Sequence, residues 1–166
     1  MATVSAIHGV APGPALVIGY GNVLRGDDGL GPRLAETVAE WALPGVLAVA
    51  VPQLMPELAV KLAAARLAVF VDACRAPEHN GVQVRRLEPA NVPPTLGHTS
   101  APEALLALAL AAYGRSPPAW AVTVPARDLG MGEGLSAATE HGLEAALVQV
   151  SRLLGERKGG ACGGAA

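Results

Sequence analysis

Three places in this sequence carry side chains that could do chemistry together. Asp27 and Asp28 follow one apolar run, and Asp72 ends another. His98 lies in a later loop, directly after a glycine. Two carboxylates and an imidazole make a mixed oxygen and nitrogen donor set, which suits a borderline divalent metal ion with open coordination positions. The same carboxylates could instead activate water as a metal-free pair, so both kinds of site stay open.

Each of these residues also has a purely structural interpretation. Asp27 and Asp28 could cap a helix, Asp72 could accept hydrogen bonds from loop amides, and His98 could be an ordinary surface residue. Cys74 has no histidine placed to activate it and is expected to be a buried, inert thiol. The other histidines fit no pattern and are expected at the surface: His8, His79 and His141. The combination of residues, rather than any single one, predicts a site.

The glycine-rich loop after the first apolar run argues against a nucleotide site. Gly19 and Gly21 stand between a predicted strand and a predicted helix, but a dinucleotide fingerprint needs a small residue where Leu24 stands. It also needs an acid at the end of the second strand, where the chain has Val51 and Pro52. No Gly-Lys-Ser/Thr occurs anywhere. We therefore expect no binding of NAD, FAD or ATP.

The loop glycines are predicted to serve a polypeptide instead. A backbone without side chains lets another chain pass close to it, and Asn22 is expected to bond to the loop backbone. The glycines concerned are Gly19, Gly21, Gly29 and Gly31.

Composition limits the class of protein. The chain has 166 residues, of which 51% are hydrophobic and 16% charged, with a net charge of −2. These values predict one domain with a substantial core, and they argue against a partner that is nucleic acid or a membrane surface. No apolar run reaches the ~18 residues of a membrane helix, and the N-terminus lacks the basic region of a secretory signal. Cys74 and Cys162 are far apart and are expected to be free thiols, so a cytoplasmic location is predicted.

The apolar pattern predicts an α/β fold. Continuous apolar runs are typical of strands buried on both faces, whereas apolar residues three or four apart favour helices. Strands are predicted at 15–20, 45–51, 67–72, 82–87 and 119–124, and helices at 27–40, 56–65, 101–113 and 135–154. The charged fourth strand is expected at a sheet edge. Alternating strands and helices predict a largely parallel sheet between helices, within one domain ordered over about 15–154 and with flexible tails at 1–12 and 157–166.

The motifs resemble those of a known family. The segment Gly19-Tyr20-Gly21-Asn22-x-Leu24-x-x-Asp27-Asp28-Gly29-x-Gly31 is similar to the signature of the [NiFe]-hydrogenase maturation endopeptidases. Later pieces follow in the family's order: Phe70-Val71-Asp72-Ala73, Gly97-His98, Val122-Thr123-Val124-Pro125 and Gly134-Leu135-Ser136. The stretches Gln53-Leu54-x-Pro56-Glu57-Leu58 and Gly97-His98-Thr99 look more like the branch that serves bidirectional or NAD-reducing hydrogenases.

The resemblance implies a fold and an activity. Such enzymes have a three-layer α/β/α sandwich around a five-stranded, mostly parallel sheet. They remove the C-terminal extension of a hydrogenase large-subunit precursor after nickel insertion, without a serine or cysteine nucleophile. By motif position, the metal-contacting and catalytic side chains are Asp28, Asp72 and His98, although Asp27 could take the place of Asp28. The nickel is expected to arrive with the substrate, and zinc or cadmium could substitute for it.

Two other functions remain open from the sequence. The chain could be a non-proteolytic partner-binding protein on the same fold, or a small-peptide metallopeptidase that holds its own zinc. The residues also leave open whether a metal ion or a carboxylate-activated water drives cleavage.

Overall fold

The computed structural model describes residues 13–75, 80–91 and 101–155. A short 3-10 helix, Gly26–Gly29, precedes the first α-helix. In chain order, the strands are β1 (Ala15–Tyr20), β2 (Val46–Val51), β3 (Leu67–Cys74), β4 (Gln83–Leu87) and β5 (Ala119–Pro125). The helices are α1 (Leu30–Glu40), α2 (Leu58–Ala64), α3 (Pro102–Tyr113) and α4 (Ala137–Gly155). The predicted tails, together with His8, His79, His98 and Cys162, lie outside the described residues.

The five strands form one sheet in the order β2-β1-β3-β5-β4. Every neighbouring pair is parallel except β4 and β5, which are antiparallel. The charged strand β4 lies at the end of this order, as its sequence predicts. The α/β fold with a mostly parallel five-stranded sheet is confirmed.

Helices cover both faces of the sheet. On one face, Ile18 and Phe70 pack in a cluster with residues of α2 and α3 such as Leu62 and Leu106. Alternate residues of the same strands, such as Val17, form the second cluster with α1 and α4. The central strands are therefore buried on both faces, which explains their continuous apolar runs.

All four helices begin one to three residues later than the sequence predicts. The predicted helix 27–40 is split, because the 3-10 helix turns through residues 26–29 before α1 starts at Leu30. Neither helix start has a side-chain cap, so the capping role considered for Asp27 and Asp28 is wrong. Helix α2 starts at Leu58 rather than Pro56. The predicted cap of α4 is present, because the Ser136 hydroxyl accepts the Thr139 N–H at 3.3 Å.

Several glycines in and around the β1–α1 loop lie in close contact with other backbone segments of the chain. A Cβ at Gly19 would collide with the carbonyl oxygen of Gly31, and a Cβ at Gly31 would lie 2.6 Å from the carbonyl oxygen of Val71. At Gly21, which has φ +143°, it would collide with the carbonyl oxygen of Asp28. The space beside these glycines is therefore filled by the protein's own backbone. Passage of a substrate chain close to this loop stays a prediction.

This packing predicts that Gly19→Ala is strongly destabilising. The methyl group meets backbone atoms that cannot rotate away, so we expect a loss of about 2 kcal/mol or more in the free energy of unfolding. Urea denaturation of the two proteins measures it. Gly81→Ala is the matched control, because an added Cβ there has no neighbour within 4 Å. Equal effects of the two substitutions would contradict the packing described here.

Candidate functional site

The site lies where the order of successive strands across the sheet reverses. Strand β1 is followed by β2 on one side, whereas β3 lies on its other side. In open α/β sheets, the loops at the carboxyl ends of two such strands diverge and leave a crevice that ligands use. The β1–α1 loop and the end of β3 meet at this crevice, and they carry Asp28 and Asp72.

Asp72 is held beside Tyr20 by the strand register. Gly19 pairs with Val71, so Tyr20 and Asp72 follow one position later on neighbouring strands. The Tyr20 hydroxyl interacts with the Asp72 carboxylate and favours its charged form. Burial, with a further contribution from the negative charge of Asp28, raises the pKa of Asp72 to about 6 against the opposing effects of the Ala73 N–H and Tyr20. Burial and the charge of Asp72 in turn raise the pKa of the Tyr20 hydroxyl.

Asp28 is held by the β1–α1 loop. Its Oδ2 accepts a hydrogen bond from the backbone N–H of Asn22 at 2.8 Å. The side chain of Asn22 in turn accepts one from the Leu24 N–H at 2.9 Å, which confirms the predicted bond of Asn22 to the loop backbone. Asp28 is half-buried, and its charge acts on Asp72. The structure therefore brings two of the predicted site carboxylates together.

Asp27 has a different environment from its neighbour. It is fully buried, and its carboxylate accepts the backbone N–H groups of Arg127, Asp128 and Ser136, each at 2.7 Å. The Ser136 hydroxyl donates to it at 2.9 Å. Burial alone would raise the pKa of Asp27, but the hydrogen bonds, led by those from Ser136, outweigh it and lower the pKa to about 2. Asp27 is thus occupied inside the protein, and Asp28 is the acid whose charge acts on Asp72.

The third predicted residue, His98, lies outside the described residues. Across 13–75, 80–91 and 101–155, no group of three or more histidine, cysteine or acidic side chains could hold a metal ion. The described half of the site nevertheless fits a cation, because two carboxylates that repel each other gain from a positive charge between them.

Two shallow clefts flank the β1–α1 loop. One has a volume of about 240 Å³ and lies between the loop and the carboxyl end of β2, with Asn22, Leu24 and Pro52 among its walls. The other, of about 180 Å³, lies between the loop and the segment 133–135. Val23 lines both, and its side chain is half exposed. The loop that carries Asp28 is therefore accessible from both sides.

Sequence reasoning missed the role of Tyr20 beside Asp72. The signal was available, since residues at equivalent positions of adjacent parallel strands point to the same face.

The sequence also predicted Cys74 to be buried, whereas the structure leaves it partly exposed. The expected surface position of His141 is confirmed, and its Nδ1 contacts the carbonyl oxygen of Ala137 at 2.8 Å. No helix among the described residues has the length and apolar character needed to cross a membrane.

Comparison with known proteins shows which solved structures share this fold. No protein-family model matches the sequence, and no curated protein matches it significantly. Among solved structures, the hydrogenase maturating endopeptidase HybD from E. coli superimposes with a TM-score of 0.69 at 24% identity, over 87% of this chain and 93% of its own. A hydrogenase 2 maturation peptidase from a Thaumarchaeota archaeon gives a TM-score of 0.64 at 26% identity, over 86% and 98%. An endopeptidase from Escherichia coli gives 0.67 at 26% identity, over 87% and 93%.

The fold and the crevice define a doubly wound α/β protein with two carboxylates at the switch point of its sheet. More particularly, the structure has the fold of the hydrogenase maturation endopeptidases. The resemblance seen in the motifs is confirmed at this level.

Because the pKa of the buried Asp27 is lowered, we expect the protein to lose stability in acid. Its pKa is about 2 in the fold and 3.8 ordinarily, so the stability that it contributes is fully present above pH 3.8. That stability, about 2 kcal/mol, is lost as the pH falls through 2. Urea denaturation between pH 5 and 2 should show a steeper decline for the wild type than for Asp27→Asn. Parallel declines would contradict this assignment.

The opposite sign is expected for Asp72. Its pKa is raised from 3.8 to about 6, so the folded state loses stability as the pH rises through this interval. Asp72→Asn removes the charge and keeps the shape, and it should be more stable than the wild type at pH 8 by about 1–2 kcal/mol. The difference should vanish below pH 4. Urea denaturation at both pH values measures it, and Glu144→Gln on the exposed side of α4 is the control. A less stable Asp72→Asn at pH 8 would show that the carboxylate supports the fold.

Proposed function

We propose that this chain is an endopeptidase that removes the C-terminal extension of a [NiFe]-hydrogenase large-subunit precursor after nickel insertion. The observation that carries the proposal is the pairing of Asp28 with Asp72 at the switch point of a fold shared with a hydrogenase maturation peptidase at 26% identity. A cytoplasmic location and the branch that serves bidirectional or NAD-reducing hydrogenases belong to the same proposal.

The two carboxylates suit cleavage of a peptide bond for electrostatic reasons. Asp72 has a pKa raised to about 6, so it can both accept and release a proton near neutral pH. The charge of Asp28 acts on Asp72 from the side, and the Tyr20 hydroxyl favours the charged form of the Asp72 carboxylate. In this proposal the pair orients a water molecule against the scissile carbonyl.

Nickel enters this proposal as part of the substrate. Asp28, Asp72 and His98 are the residues proposed to contact it, and zinc or cadmium could take its place in the same donor set. A divalent ion there would polarise the carbonyl that is attacked. Such contacts would make the enzyme sensitive to whether the precursor has been loaded.

The test is incubation of the purified protein with nickel-loaded and nickel-free precursor, followed by mass spectrometry of the precursor. We expect the mass loss of C-terminal clipping with the nickel-loaded form. Asp72→Asn should process it at least ~10²-fold more slowly, since general acid–base help alone is worth about that factor. Glu144→Gln is the control and should match the wild type.

Other results would replace the proposal. Processing by Asp72→Asn at the wild-type rate would exclude a role for this charge in cleavage. Tight binding of the precursor without clipping would indicate a partner-binding protein. Stoichiometric zinc that survives chelation, with cleavage of small peptides, would indicate a self-contained metallopeptidase.

A further inference from the structure

We propose that Asp27 is a positioning residue, whose buried carboxylate fixes the Asp28 carboxylate against Asp72 by pinning the 3-10 helix to the loop between β5 and α4. This inference rests on the proposed function in one respect, namely that Asp28 acts in cleavage. Asp27 itself has no access to a substrate, because its side chain is completely buried.

The hydrogen bonds of the Asp27 carboxylate all run to one distant segment. Its acceptor oxygens bind the N–H groups of Arg127, Asp128 and Ser136 and the hydroxyl of Ser136, which lie 100 to 109 positions later in the chain. One carboxylate accepts four short hydrogen bonds, three of them from backbone N–H groups. Together they form a rigid junction between the two loops.

Backbone bonds on both sides of Asp27 continue the junction. The Asp27 N–H donates to the carbonyl oxygen of Asp128 at 2.8 Å, and the Gly26 N–H donates to that of Gly132 at 2.9 Å. The Gly132 N–H donates back to the Leu24 carbonyl oxygen at 2.9 Å. The β1–α1 loop is thus joined to the β5–α4 loop from Leu24 to Asp27.

The geometry of Asp28 depends on this junction. Asp28 is the next residue along the 3-10 helix, so fixing Asp27 against one loop turns Asp28 away from it, towards Gly21 and Asn22. The other bonds of the Asp28 segment are local, from Asp28 N–H to Arg25 and from the Arg25 N–H to Asn22. Repulsion from Asp72 acts to push Asp28 away, and the junction at Asp27 opposes that displacement.

Loss of a positioning residue changes the placement of Asp28, whereas loss of a purely structural residue changes only the stability of the fold. Asp27→Asn keeps the size of the side chain but places an amide donor against N–H donors, which breaks part of the junction. Leu106→Ala is the control, because it removes a fully buried side chain of α3 on the face of the sheet opposite α1 and α4. Both variants should lower the melting temperature, and assays are run at a temperature where both are folded.

Cleavage kinetics on nickel-loaded precursor are the first measurement. For Asp27→Asn we expect kcat to fall by about 10-fold or more with little change in KM, and for Leu106→Ala we expect kcat to stay within about 2-fold of the wild type. Ser136→Ala removes one of the four bonds and should fall between them, so it replaces Asp27→Asn if that variant does not fold. A kcat for the Asp27 or Ser136 variant equal to that of Leu106→Ala overturns the proposal.

The second measurement does not depend on activity. The amide resonance of Asn22 reports the bond to Asp28, and Asp28→Asn provides the reference without the carboxylate. In Asp27→Asn, this resonance should move from its wild-type position towards that reference, while it stays in place in Leu106→Ala. An unchanged Asn22 resonance in Asp27→Asn overturns the proposal even if the wild type cleaves no precursor. This measurement therefore distinguishes a failure of the proposed endopeptidase function from a failure of the positioning role of Asp27.

Discussion

This structure depends on one constraint, namely that two negative charges are held close together, one in the loop after β1 and one at the end of β3. Asp28 and Asp72 repel each other, and burial adds to the energy of keeping Asp72 charged. Side chains free to move would separate. Here Asp28 is fixed by the Asn22 N–H, whereas the Ala73 N–H and the Tyr20 hydroxyl favour the charged form of Asp72.

The two adjacent acids of the motif show how environment divides roles between identical side chains. Asp27 is surrounded by N–H donors that stabilise its charge, whereas Asp72 is buried beside another negative charge. Their pKa values are therefore displaced in opposite directions. Carboxyl groups with displaced pKa values of opposite sign are typical of sites where one group supports the fold and another carries out proton transfer.

Much of the fold could be predicted from the sequence, because the relevant signals are local. Buried parallel strands read as continuous apolar runs, and β1, β3 and β5 begin at their predicted residues. The edge position of β4 follows from its two arginines. Pairing of Asp72 with the acid of the glycine loop also follows, because carboxyl ends of parallel strands meet at one edge.

The division between Asp27 and Asp28 could not be predicted in the same way. The partners of Asp27 are backbone N–H groups about a hundred residues away, and backbone amides leave no mark in a sequence. A capping role was the reasonable local interpretation, and it fails because the long-range bonds prevail. The contribution of His98 stays a prediction, since it lies outside the described residues.

The contact between the glycines of β1 and the start of α1 has a consequence for binding. With Gly19 against Gly31 and no side chain between them, the helix and strand cannot slide without breaking van der Waals contact along the backbone. The loop between them is therefore preorganised. The conformational entropy of placing the first carboxylate is lost during folding rather than on association, so a substrate meets a surface that needs little rearrangement to receive it.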